Sequence, residues 1–353
     1  MRGSPMRFFE EINTILRCPR CGGDLGIAQG AMTCRRCSQS FTVDHDIPLL
    51  FWPNDCDPNQ TDVTDVVRSF YEKTPFPNYD DCDSAGRLIQ KAERSGFVKL
   101  LGEQIPLGTR ILEVGCGTGQ LTNFLGTLNR TVIGTDICLN SLRLGQEFKA
   151  KNAIAGSHFL QMNLFRPVFE PESFDLVYCT GVLHHTGDPF GGFQSIARLV
   201  RSNGYVVIGL YHRFGRILND IRRWIFHVTG NRGTFFDPRL RKHSGLGHAQ
   251  RTAWFADQYK HPHESKHTIG EVISWFERSG FRILKSVPKT QLFGRFQADE
   301  RLFSPEPPGN PIERRLVEFG MALTARKEGG YFMVIGKKTA APNGRYPGEG
   351  ATP

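Results

Sequence analysis

No run of about 18 apolar residues occurs in this chain, so no helical membrane span is expected. Its opening residues, Met1-Arg2-Gly3-Ser4-Pro5, lead into charged sequence with no apolar secretory core, which gives the expectation of a cytoplasmic protein. No internal repeat is visible. The nine cysteines lack the pattern of a disulfide framework: four fall in two C-x-x-C pairs, while Cys56, Cys82, Cys116, Cys138 and Cys179 are scattered. That distribution favours metal binding over stapling by disulfides. What is present is length and apolar content: 353 residues, 39% hydrophobic, enough for one large domain and a small module.

Charge is unbalanced. Lys and Arg number 44 against 35 Asp and Glu, a formal net charge of +9. Between positions 213 and 260 there are ten Lys/Arg and three Asp, so +7 lies in that one segment. A basic patch meets RNA, anionic lipid or an acidic substrate, and is equally compatible with a solvated insertion.

The stretch that organises the rest is Arg110-Ile111-Leu112-Glu113-Val114-Gly115-Cys116-Gly117-Thr118-Gly119-Gln120-Leu121. An apolar run over 111–114 predicts a buried strand, and 120–128 predicts a helix. Glycines at a strand-to-helix turn let the backbone take open conformations and come close to a ligand. The dinucleotide fingerprint G-x-G-x-x-G would need glycine at 120, where Gln120 stands. Glu113, two residues before the first glycine, repels a pyrophosphate and welcomes a cation. The pattern E-x-G-x-G-x-G resembles the first motif of class I S-adenosylmethionine-dependent methyltransferases. That resemblance implies that Glu113, Gly115, Cys116, Gly117 and Gly119 hold the methionine part of the cofactor.

Strands and helices alternate from Arg110 onward, as a parallel α/β sheet requires. The second strand, 131–136, ends in Asp136, 17 residues after Gly119. Strand C-terminal ends line the ligand crevice in this architecture, and a carboxylate there accepts two ribose hydroxyls. The resemblance implies that role for Asp136, with Ile137 against the adenine, Asn163 at the adenine amino group through its amide oxygen, and Leu164 as a further wall. Strands are also expected at 158–163, 173–180, 205–210, 281–287 and 331–336, and helices at 63–72, 84–102, 192–201 and 268–279. Asn203-Gly204 reads as a tight turn.

The run Ser173-Phe174-Asp175-Leu176-Val177-Tyr178-Cys179-Thr180-Gly181-Val182-Leu183-His184-His185 resembles the ubiquinone/menaquinone-biosynthesis type of methyltransferase. It places Thr180 at the cofactor and His184 or His185 where a general base would stand, since histidine titrates near neutral pH. One histidine packed on the sheet is the alternative. No N/D-P-P-Y/F tetrapeptide occurs, which disfavours the adenine and glutamine amino-methyltransferases, and no Pro-Cys pair marks a cytosine C5 enzyme.

Upstream, Cys18-Pro19-Arg20-Cys21 and Cys34-Arg35-Arg36-Cys37 are separated by twelve residues. Two such knuckles place the thiolates of Cys18, Cys21, Cys34 and Cys37 tetrahedrally around zinc, with no position left open for catalysis. A module this short buries little core, so a metal would stabilise it directly. Its flanks, Ile15-Leu16-Arg17 and Phe41-Thr42-Val43-Asp44-His45-Asp46-Ile47-Pro48-Leu49-Leu50, resemble the small zinc-ribbon protein that activates several methyltransferases. His45 reads as a turn residue.

Together these readings imply a Rossmann-like α/β fold with a seven-stranded methyltransferase sheet, a small N-terminal zinc ribbon and a basic cap insertion. The expected boundaries are a ribbon at 1–52, a linker at 53–62, a catalytic domain at 63–338 with a cap insertion at 213–266, and a disordered tail at 339–353. Tyr71, Phe76 and Tyr79 are candidates for a lid over the cofactor or for packing. His261, His263, Glu264 and His267 cluster around Pro262; their loop setting favours lining the substrate pocket or ordering the loop over binding a second metal. Expected cofactors are S-adenosylmethionine and structural zinc. The expected partner is a small-molecule or lipid-like acceptor, with RNA as the alternative and a non-catalytic cofactor-binding regulator as a third reading.

Overall fold

A computed structural model describes residues 8–9, 12–28, 30–55, 61–75, 79–230, 248–324 and 330–339. Seven strands form one sheet: β5 (Arg110–Val114), β6 (Thr131–Asp136), β7 (Ser157–Gln161), β8 (Phe174–Thr180), β9 (Val200–Tyr211), β10 (Phe281–Val287) and β11 (Tyr331–Lys338). Their order is β10-β11-β9-β8-β5-β6-β7. Strands β5 to β9 pair in parallel, and β11 runs antiparallel to both β9 and β10. Ile111, Leu112, Val132 and Ile133 are fully buried, because parallel strands have both faces covered and carry continuous apolar runs. From β5 the chain winds outward to β6 and β7, then returns to β8 on the other side. The resulting crevice lies between β5 and β8 at the C-terminal strand ends, where such sheets bind ligands.

Two local expectations are refined. The helix expected at 84–102 is two helices, α2 (Ala85–Glu93) and α3 (Gly96–Gln104). Ser95, with φ −89° and ψ 108°, leaves the helical region and stands at the N-cap position of the second without a side-chain cap bond. Gly96 beside it adds conformational freedom that weakens a continuous helix. Both helices still bury one face, with Leu88, Leu100 and Leu101 against Phe124 and Leu125. The Asn203-Gly204 turn is instead part of β9: Asn203 has φ +63°, and the β8–β9 register shifts between Phe174 and Leu176, a bulge. Thr268 and Glu271 form a reciprocal capping box at the start of α9 (Ile269–Arg278). The long connection before β11 holds α10 (Pro311–Thr324).

The N-terminal module is an antiparallel meander, β1 (Leu25–Ala28), β2 (Ala31–Cys34), β3 (Ser40–Asp44) and β4 (Ile47–Pro48). His45 and Asp46 turn the chain between β3 and β4 with positive φ. The module covers the edge of the large sheet. Leu50 N donates to Gln161 O at 3.0 Å, Arg17 N to Val168 O at 2.8 Å, and Glu170 N to Ile15 O at 2.8 Å. Arg17 pairs with Glu170, and Arg143 Nε with Asp44 at 2.7 Å. Leu16, Leu25, Met32 and Leu50 belong to the same apolar cluster as Met162, Leu164 and Phe169. A module too small for a core of its own thus shares one, and an exposed sheet edge is protected.

α1 (Val63–Lys73) follows, with Asp62 capping it through Thr64 N. The segment expected as a cap insertion contributes α7 (Ile217–Val228) and α8 (His248–Tyr259). Phe76, Cys56, the centre of the cap insertion at 231–247 and the tail at 340–353 lie outside the described residues. Among the described residues no helix is long and apolar enough to cross a membrane.

Candidate functional site

The glycine turn leaves β5 with φ of +68° at Gly115, +55° at Gly117 and +71° at Gly119. A Cβ on Gly115 would come within 2.2 Å of Val182 Cγ2, and one on Gly119 within 2.3 Å of Phe159 Cε1. Both torsion and space therefore require glycine at these two positions. The turn is tied to the neighbouring strand. Gly115 N and Cys116 N donate to Thr135 O at 2.7 and 3.0 Å. Gly117 N donates to Asp136 Oδ2 and Cys138 N to Asp136 Oδ1, each at 2.8 Å.

Two carboxyls meet here. Burial raises Glu113 to about 7, opposed by the Thr122 hydroxyl that donates to it. Burial likewise raises Asp136 to about 6, opposed by the backbone N–H groups of Cys138, Gly117 and Ile137. Neither forms an ion pair among the described residues. Burial and the two acids push the Cys116 thiol well above its usual range. A pair of desolvated acids beside an open cradle is stabilised by a cationic ligand.

A cavity of about 430 Å³ opens over this turn. Of the residues expected at the site, it is lined by Glu113, Gly115, Cys116, Gly117, Asp136, Ile137, Asn163, Leu164, Thr180 and His185. Gly119 lies behind the turn as the N-cap of α4 (Gln120–Gly126). Asn163 is fully buried and committed elsewhere: its Nδ2 donates to Trp52 O at 3.0 Å and Asn54 Oδ1 at 2.8 Å, and its Oδ1 accepts from Phe165 N at 3.1 Å. Its oxygen retains one lone pair for a further donor. This side chain joins the exit of the N-terminal module to the cavity wall.

The two histidines separate. They lie in a single 3-10 turn, Leu183–His185, which aims successive side chains in different directions. His184 does not line the cavity; it is buried against Tyr211, ring centroids 4.1 Å apart, with neither ring nitrogen hydrogen-bonded to a described residue. Burial drives its pKa well below the usual value. His185 does line the cavity. Its Nδ1 sits 2.8 Å from the His263 carbonyl, which requires a proton on that nitrogen, and its ring stacks on His261 at 3.6 Å. Burial lowers His185 to about 3, so it is neutral at pH 7.

Four residues at the cap end are absent from the sequence reading of the site: Tyr211, Arg216, Asp257 and Gln258. Tyr71 of α1 donates to Asp257 Oδ1 at 2.8 Å. Gln258 Nε2 donates to Asp257 Oδ2 and to the Tyr211 hydroxyl, each at 2.9 Å. Arg216 Nη1 donates to Gln258 Oε1 at 2.9 Å, while its Nη2 pairs with Glu264 at 2.7 Å. The guanidinium lies 3.8 Å from the Tyr211 ring centroid. Tyr71, Tyr211, Asp257 and Gln258 all line the cavity. The signal in the sequence is the histidine-rich loop around Pro262, which stands four residues after Gln258 and does not itself mark Asp257. Those histidines do not gather: His267 bonds Ser265 and Glu271, His261 stacks on His185, and Glu264 holds Arg216. Tyr79 donates to Thr118 O at 2.9 Å and stacks on Phe148, packing behind the turn.

In the N-terminal module the ligand atoms of Cys18, Cys21, Cys34 and Cys37 all lie within 4.8 Å of one another. Among the described residues this is the one group of three or more such side chains close enough to share an ion.

Residues 112–208 match the family model described as a methyltransferase domain. The chain is 31% identical over 248 residues to an uncharacterized protein of Synechococcus, covering 63% of this chain and 60% of that one. It is 30% identical over 155 residues to a ubiquinone biosynthesis O-methyltransferase of Paracidovorax citrulli, covering 41% of this chain and 63% of the relative. The chain thus spans about three-fifths of the length of these curated relatives. A magnesium protoporphyrin IX methyltransferase structure from Synechocystis PCC 6803 is 13% identical, covers 80% of this chain and all of its own, and superposes with a TM-score of 0.46. By its sequence match, the region from β5 to β9 is a methyltransferase domain.

Proposed function

We propose that the chain transfers methyl from S-adenosylmethionine to a small-molecule acceptor, with one structural zinc in the N-terminal ribbon. The observation that carries this reading is the pair Glu113 and Asp136, two buried acids held at the lip of a glycine cradle without a protein cation among the described residues. Bound there, S-adenosylmethionine supplies a methyl group on a positively charged sulfur, open to in-line displacement. Glu113 offsets positive charge at the methionine end. Asp136, already bonded by the N–H groups of Gly117, Cys138 and Ile137, keeps acceptor capacity for a ribose hydroxyl. Ile137 and Leu164 wall the adenine, and Asn163 Oδ1 receives its amino proton. Tyr71, Tyr211 and His185 close the opposite end and exclude water. The four thiolates at mutual distances below 4.8 Å fit a tetrahedral zinc.

A cavity of about 430 Å³ shared by donor and acceptor suits small-molecule ligands. A second reading, methylation of RNA, draws on exposed Arg213 and Arg251 in the basic cap. Incubation with radiolabelled methyl donor and an extract separated into small-molecule, RNA and protein fractions distinguishes them. Label in the small-molecule fraction supports the proposal; label in RNA replaces it with the second reading. Donor binding with no label transferred indicates a regulator.

A further inference from the structure

We propose that the cap end of the cavity is a subsite for an acceptor hydroxyl group, and that Asp257 accepts a hydrogen bond from that hydroxyl and takes its proton only as the bond to methyl forms. The proposal rests on the methyltransferase reading of the same cavity. Asp257 is only 7% exposed, lines the cavity, and forms no ion pair among the described residues. Each of its oxygens accepts one hydrogen bond, from Tyr71 and from Gln258, and each keeps a second lone pair. A buried carboxylate in this state is completed by a further donor.

Tyr211 indicates what kind of donor. Its oxygen accepts from Gln258 Nε2, so its own proton points elsewhere and is available to a ligand. The cap end of the cavity therefore presents a proton acceptor, Asp257, beside a proton donor, Tyr211. A hydroxyl uses both, since its oxygen receives one hydrogen bond while its proton makes another. A quaternary or protonated amine has no lone pair for the Tyr211 proton. The ring face that would attract such a cation also carries the Arg216 guanidinium at 3.8 Å.

Arg216 is the positioning residue. A guanidinium only donates, so its bond to Gln258 Oε1 fixes which end of the amide faces it. The amide nitrogen is thereby turned toward both Asp257 and Tyr211. Arg216 is itself fully buried and held by two bonds to Glu264. In the proton step the acceptor O–H bond breaks and a new O–H bond forms on an Asp257 oxygen. The pair left on the acceptor oxygen makes the bond to the methyl carbon, and the carbon–sulfur pair stays on the donor sulfur.

The test uses 4-nitrophenol, whose neutral and ionised forms absorb at different wavelengths, added to the zinc-loaded full chain with S-adenosylhomocysteine present. Asp257 should hold the probe neutral, moving its ionisation midpoint up by roughly one pH unit, and Asp257→Asn should abolish that shift. Tyr211→Phe keeps the ring and removes the donor; it should weaken probe binding about tenfold. S-adenosylhomocysteine affinity, read by calorimetry, should stay within about twofold in both variants. Equal midpoints in wild type and Asp257→Asn, or no probe binding, overturn the subsite. Tighter binding of phenyltrimethylammonium than of 4-nitrophenol overturns it in favour of a cation cage. Absence of heat with S-adenosylhomocysteine in the wild type overturns the methyltransferase reading and the subsite with it, whereas heat without a probe shift overturns the subsite alone.

Discussion

The amide of Gly117 donates to the carboxylate of Asp136 at 2.8 Å, so the turn after one strand and the end of the next form a single unit. Disturbing either member should disturb the other. Gly115→Ala places a methyl 2.2 Å from Val182 Cγ2 at a φ of +68°. It should cost about 2 kcal/mol or more of stability and weaken cofactor binding, read by thermal denaturation and calorimetry.

The two acids at the turn make stability depend on pH in a defined direction. In the folded, ligand-free chain Asp136 is raised from 3.8 to about 6, and Glu113 from 4.5 to about 7. The folded form therefore holds protons that the unfolded chain has already released. Their contribution is fully present below pH 4 and is lost as pH rises through about 6 to 7. A cationic ligand favours the ionised acids, so its binding near pH 6 should release protons and at pH 8 almost none. Calorimetry in buffers of different ionisation heat measures this directly. Equal proton release at both pH values would contradict the assignment.

Removing zinc should reach the cofactor cavity. The N-terminal module shares its apolar cluster with Met162 and Leu164, and Asn163 bonds both Trp52 and Asn54. Cys34→Ser should lower zinc content toward none by elemental analysis. It should also reduce the melting temperature and weaken S-adenosylhomocysteine binding. A variant that lost zinc yet kept full affinity would show the module to be independent of the site.

Arg216→Ala leaves Glu264, whose side chain is 2% exposed, as a buried charge without its partner. The expected cost is about 3 to 5 kcal/mol, read by chemical denaturation. Combining it with Glu264→Gln should recover part of that loss, because the orphaned charge is then removed.

How much of this was visible in the sequence follows from how far apart the partners lie. Glu113, Gly115, Gly117 and Asp136 are legible because a strand, a turn and the next strand end are close in sequence, and glycine leaves a mark wherever backbone must be open. The four cysteines are legible for the same reason. His184 and His185 are adjacent, yet only the latter faces the cavity, since the way the 3-10 turn packs on its surroundings decides which ring points inward. The cap end is least legible: Tyr71 and Asp257 are 186 positions apart and meet only through tertiary packing. Ser95 and Asn203 show the same limit at smaller scale, one dividing a helix and the other bulging a strand.

The most direct measurement is a calorimetric titration of the zinc-loaded chain and its Asp136→Ala variant with S-adenosylhomocysteine. One bound nucleoside per chain in the wild type, with affinity reduced about tenfold or more in the variant, is the expected result. No heat in the wild type, or the same affinity in both proteins, would contradict the account.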